Sequence, residues 1–191
     1  MIFEKVIIFT FMDVRRITKD AILLALLCVV GMFSIPLGEN IKVSFQLLVL
    51  FIIFGISDKL FDKILIPTLY LLLGLIAPIY AGFQAGITPT FGFVIGFVVS
   101  SIPFHFLYKN IKLNEYLRFI IASFVSLIVV YICGTIFMKF YLDFSLGKTL
   151  LIAVVPYIGF DLIKIAISTM TIKLLPTNIK TSSSRGTERD Q

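Results

Sequence analysis

Charge is scarce in this chain: only 15% of its 191 residues are Asp, Glu, Lys or Arg, against about 25% in soluble domains. Hydrophobic residues reach 59% and the mean hydropathy is +1.04. A water-soluble fold of this size cannot hide that much apolar surface, so the composition points to an integral membrane protein. Histidine occurs once, as His105 beside Lys109, and no paired-carboxylate metal motif accompanies it. Two cysteines are present, Cys28 and Cys133, each within a long apolar run. They read as small core residues, and no disulfide or metal site can be argued from them. No G-x-x-x-x-G-K-[ST] loop occurs, so no ATP hydrolysis is expected here. The basic excess shows no stripe with interleaved aromatics, which argues against nucleic acid as a partner. No nucleophile stands with a plausible base. The expectation is a protein that is not an enzyme, with no catalytic residue, metal or cofactor.

What is present is a series of long apolar runs. A window of about 20 residues places about six spans, at 17–37, 43–57, 60–78, 89–108, 116–140 and 156–175. The fold class is therefore all-α, an integral membrane bundle in the lipid bilayer. Thr18 is the expected N-cap of the first span, with Asp20 in its first turn, and Pro36 and Gly38 end it. The second span is short, which suggests tilting or shielding by its neighbours. No cleavable signal peptide is expected, since the apolar run 6–12 is short and Asp13, Arg15 and Arg16 follow it without a small-residue cleavage site; residues 1–16 read as an N-terminal leader. An amphipathic leader and an upstream start with Met12 as initiator are both open. Residues 176–191, rich in Ser, Thr and charge, read as a disordered cytoplasmic tail.

An even number of spans puts both termini on one side. Thirteen of the 17 basic residues then fall on the side of the termini, while Lys42, Lys139 and Lys148 fall opposite and Lys164 lies within the last span. Cytoplasmic loops carry the Lys/Arg excess, so the expected orientation is N-in/C-in.

The last span holds the most informative anomaly. Asp161 and Lys164 sit in an otherwise apolar stretch, where each charge costs about 2.5 kcal/mol or more on insertion scales. The apolar run 146–175 is about 45 Å long as one helix, more than a bilayer core of about 30 Å. Pro156 and Gly159 interrupt it, so the spanning helix is expected to begin near Pro156, with 146–155 as an outer re-entrant or interfacial segment. Asp161 and Lys164, at i and i+3, then share one face in the outer half of the membrane. Two readings compete: an ion pair that only fixes packing, and a ligand pocket open to the outside.

The connection 78–93 favours the pocket. It carries no charge, and its glycines and aromatics suit close backbone approach and an apolar ring-bearing solute. Gln46, near the outer end of the second span, adds an uncharged polar group in apolar surroundings.

Four stretches carry a resemblance to a known family. Ser34-Ile35-Pro36-Leu37 followed by Val43-Ser44-Phe45-Gln46-Leu47 is similar to an IPL, short loop, TLQ-like pattern. Tyr70-Leu71-Leu72-Leu73-Gly74 through Pro78-Ile79-Tyr80-Ala81-Gly82 resembles a YLLLG…P-x-F-A-G segment. Pro89-Thr90-Phe91-Gly92-Phe93-Val94-Ile95-Gly96-Phe97 resembles GPTGGYLIGF, and Gly159-Phe160-Asp161-Leu162-Ile163-Lys164 resembles PGDLxK. In this order and spacing they resemble BioY, the biotin-binding substrate-capture (S) component of energy-coupling factor (ECF) vitamin transporters. The likeness spans roughly 18–175. Phe83 and Phe91 stand where glycine is common, and Phe160 replaces the glycine before the aspartate, so an S component for another vitamin such as riboflavin or thiamine stays open. A structural membrane protein is the remaining alternative.

The resemblance implies a multi-pass protein of the prokaryotic cell membrane, with residues 17–175 forming a six-helix S-component domain. It would capture biotin from outside and work with a transmembrane coupling subunit and two cytoplasmic ATPases. Asp161 and Lys164 would be the polar substrate-binding residues, Gln46 and Thr90 would complete the polar contacts, and Tyr80 and Phe83 would wall the rings. Ala21 and Ala25 would form an Ala-x-x-x-Ala docking stripe for the coupling subunit, since small residues four apart let membrane helices approach closely.

Overall fold

The computed structural model of the chain describes residues 2–36 and 42–175. Among these residues it has seven helices and one short hairpin: α1 (Ile2–Met32), β1 (Ser34–Pro36), β2 (Lys42–Ser44), α2 (Gln46–Ile56), α3 (Leu60–Ile76), α4 (Phe91–Asn110), α5 (Glu115–Leu142), α6 (Leu146–Ala153) and α7 (Ile158–Leu174). The expected all-helical architecture is observed, with two strands added where a helix was expected to end.

The first helix departs from expectation at both ends. α1 runs without a break across the expected leader boundary at residue 16. Thr18 is therefore not an N-cap: it lies inside the helix, where its hydroxyl donates to the Val14 carbonyl at 2.8 Å. The helix stops at Met32, short of Pro36, because Ser34–Pro36 pairs antiparallel with Lys42–Ser44. Gly38, the other expected terminator, and the tail 176–191 lie outside the described residues.

The same hairpin shortens the second span. α2 has 11 residues, about 16 Å at 1.5 Å per residue, roughly half of a bilayer core. It is apolar all round, and Leu50, Phe51, Ile53 and Phe54 are fully buried. A helix of that kind is sheathed by other helices, and here α1, α4 and α7 pack around it. By length and composition α4 and α5 can each cross a membrane alone, while α6 and α7 form a bent pair, at 49°, that would make a further span. The bend falls at residues 154–157, the turn containing Pro156.

The tightest helix pair is α4 with α5. Gly92, Gly96 and Ser100 recur every four residues along α4, giving a flat stripe on which α5 lies close. A Cβ at Gly96 would stand 2.8 Å from the Val130 Cα, a backbone atom that cannot swing away. Ser126 on α5 reaches across and donates to the Ser100 carbonyl at 3.1 Å. Gly96→Leu is accordingly expected to force the two helices apart and cost about 2 kcal/mol. Thermal unfolding in detergent reads this directly, and an unchanged midpoint would show that the contact is not tight.

At the end of the bundle away from the hairpin, charge is buried for structural ends. Lys63 is 1% exposed. Its ammonium donates to the Phe54 carbonyl at 2.5 Å and lies over the rings of Phe104 and Tyr108, at 4.8 and 5.5 Å. Phe54 is in the last turn of α2, whose carbonyls have no partner within the helix, so Lys63 caps α2 and ties it to α4. Asp62, also buried, pairs with Arg16 of α1.

Candidate ligand site

A cavity of about 300 Å³ opens among the starts of three helices and the flank of a fourth. α2, α4 and α7 begin at it, the C-terminal half of α5 runs alongside it, and the end of α6 with the turn that follows closes one side. Its size is at the lower end of small-molecule sites, which run from about 300 to 1,000 Å³. None of the three helix N-termini has a side-chain cap. The positive ends of their dipoles therefore converge on one space.

Asp161 and Lys164 both line the cavity and are nearly inaccessible to solvent, at 3% and 6% exposure. Lys164 donates to Asp161 Oδ1 at 2.6 Å. The second carboxylate oxygen, Oδ2, accepts from the Tyr131 hydroxyl at 2.5 Å. The pair is thus compensated within the protein, which burial demands. Each carboxylate oxygen still has acceptor capacity for a ligand.

Gln46 lines the cavity at the first residue of α2. Its Oε1 accepts from Ser44 at 3.1 Å, and its Nε2 donates to the Tyr70 hydroxyl at 2.5 Å. Tyr70 in turn donates to the Ile79 carbonyl at 2.9 Å. This relay joins β2, α2, α3 and the following loop, and it sets which way the amide faces. One amide hydrogen and one acceptor position remain on Gln46.

Tyr80 presents its ring to the cavity and turns its hydroxyl away, donating to the Leu71 carbonyl at 2.6 Å. Gly74 makes room for that ring, since a Cβ there would overlap it. Thr90, just before α4, also lines the cavity, with its hydroxyl 3.1 Å from that of Thr88. Phe83 does not join them. It is 61% exposed, with its ring edge against Phe33 at 6.1 Å between centroids. Gly82 and Phe83 both have positive φ, 74° and 59°, and two successive left-handed residues reverse the chain. Tyr80 and Gln84 bridge across this reversal. The turn directs Tyr80 inward and leaves Phe83 outside.

Of the six candidate substrate residues, the structure brings together Asp161, Lys164, Gln46, Tyr80 and Thr90. It adds Tyr131, Gln84, Tyr157 and the rings of Phe93 and Phe97. Tyr131 carried one signal in the sequence, a lone phenol between Val130 and Ile132 in an apolar run. Nothing in its spacing named Asp161, 30 residues away, as its partner. Ala21 and Ala25 lie well away from the cavity, exposed on α1 in line with Ile17 and Val29. Among the described residues no group of three metal-ligating side chains occurs, and Cys28 and Cys133 are free.

Known proteins resemble this chain in sequence and in fold. The biotin transporter BioY of Thermotoga maritima is 27% identical over 161 residues, covering 82% of this chain and 92% of that protein. The crystal structure of the S-component for biotin from an ECF-type ABC transporter matches with a TM-score of 0.74 at 20% identity, covering 84% of this chain and 90% of that one. At that identity the structural likeness establishes the fold. The model of the BioY family matches residues 4–181, nearly the whole sequence. The chain belongs to the BioY family.

Proposed function

We propose that this membrane protein is the substrate-capture subunit of an ECF-type vitamin transporter and that its substrate is biotin. The observation that carries the reading is the cavity, which sets a buried ion pair and an oriented amide among aromatic and aliphatic walls. Biotin offers a matching set of groups: an apolar fused ring system, a ureido group and a carboxylate. Asp161 accepts a ureido N–H, and Gln46 and Thr90 supply further polar contacts. The rings of Tyr80, Phe93 and Phe97 wall the bicycle. Lys164 and the three converging helix N-termini favour the carboxylate.

The chain performs no chemistry on the substrate. It spans the prokaryotic cell membrane several times in the N-in/C-in orientation, which puts the cavity on the outer side. A transmembrane coupling subunit docks on the small-residue stripe of Ala21 and Ala25 and links the protein to two cytoplasmic ATPases, which drive release inward. Both relatives bear biotin in their names, which supports the choice of vitamin.

The test is equilibrium binding of radiolabelled biotin to the detergent-purified protein, with unlabelled riboflavin and thiamine as competitors. Saturable binding displaced by biotin alone is expected. Displacement by either other vitamin would keep the class and change the substrate. No binding of any of the three would leave the ion pair a packing element.

A further inference from the structure

We propose that Tyr131 is a positioning residue for Asp161, holding the carboxylate in the plane in which it receives the ligand. The proposal rests on the reading of the cavity as a biotin site. Among the described residues, the Asp161 side chain has two partners, and they come from different helices. Lys164 lies one turn along α7 and binds Oδ1 at 2.6 Å; Tyr131 lies on α5 and binds Oδ2 at 2.5 Å.

The two partners restrain unequally. A lysine has a long flexible stem and three rotatable donors, so Lys164 can follow the carboxylate through a rotation about its own axis. A tyrosine has two side-chain torsions and one hydroxyl at a fixed reach. Its backbone is also fixed, because α5 is pressed against the glycine stripe of α4 at Val130, the residue before Tyr131. The phenol therefore sets where Oδ2 stands, and Lys164 completes the charge balance. A carboxylate already oriented loses little freedom when a ligand arrives, which is the general source of affinity by preorganisation.

Tyr131→Phe keeps the ring and removes only the hydroxyl, so the wall of the cavity is preserved. A hydrogen bond to a charged group is worth about a tenfold change in affinity or more. The expected result is a Kd for biotin raised about tenfold, with the unfolding midpoint lowered by about 3–10 °C because the same bond also stabilises the buried carboxylate. In an Asp161→Asn background, the same change is expected to alter Kd less than about twofold, because the two residues act as one unit. A purely structural role would lower affinity equally in both backgrounds, and that result would overturn the proposal. Wild-type affinity in Tyr131→Phe would overturn it too, while leaving the biotin site intact. If the wild-type protein itself binds no biotin, the site reading falls and takes this proposal with it.

Discussion

Lys164→Ala is expected to abolish measurable biotin binding and to destabilise the protein by about 3–5 kcal/mol, the usual cost of breaking a buried ion pair by removing one partner. Among the described residues, Asp161 would be left as a buried charge with the Tyr131 hydroxyl as its one side-chain partner. Loss of binding in that variant alone would be ambiguous, because the fold suffers too. The decisive companion is the double change Asp161→Leu with Lys164→Met. Replacing a buried pair by apolar residues of similar volume is often neutral or stabilising, so the unfolding midpoint should return to the wild-type value or above. Biotin binding should stay absent. A double variant that binds biotin as wild type does would show that the pair serves only packing.

The second large effect is expected at a glycine. Gly74→Ala would put a Cβ inside the space of the Tyr80 ring, and that ring cannot step aside. It packs on Tyr70 and Phe91 at 5.5 and 6.3 Å, and its hydroxyl is tied to Leu71. Expelling a buried aromatic side chain costs about 3 kcal/mol. It would also remove one wall of the cavity, so biotin affinity should fall at least about tenfold. Gly159→Ala is the matched control. Nothing lies within 4 Å of a Cβ at that position, near the start of α7, and alanine there should be neutral or stabilising by up to about 1 kcal/mol. Binding titrations and thermal unfolding of the two variants side by side check both statements. Equal behaviour would mean that the position of Tyr80 does not shape the site.

Much of this was legible in the residue order because membrane insertion is a strong local constraint. Apolar runs must be helical to satisfy their backbone in lipid, so the principal helices stand near their expected places. Pro156 marked the break before α7 for the same kind of reason: it has no N–H to give to a helix interior. The pair Asp161 and Lys164 announced itself by cost, since two charges in an apolar run call for an explanation. The errors came where a long-range pairing overrode a local signal. Thr18 looks like an N-cap only if the helix starts there, and α1 starts earlier. Pro36 lies beyond a helix that has already ended, because β1 pairs with β2.

The candidate site divides in the same way. By itself the sequence determined the class of the protein, the presence of the ion pair and the uncharged aromatic loop near it. Those features depend on composition and on neighbours along the chain. Only the tertiary structure decided that Tyr131 meets Asp161, that Tyr70 orients Gln46, and that the turn at Gly82 and Phe83 sends Tyr80 inward and Phe83 out. These depend on the rotation of each helix about its axis and on two backbone torsions. Neither quantity is encoded in hydrophobic periodicity when a helix is apolar on every side, as α2 is.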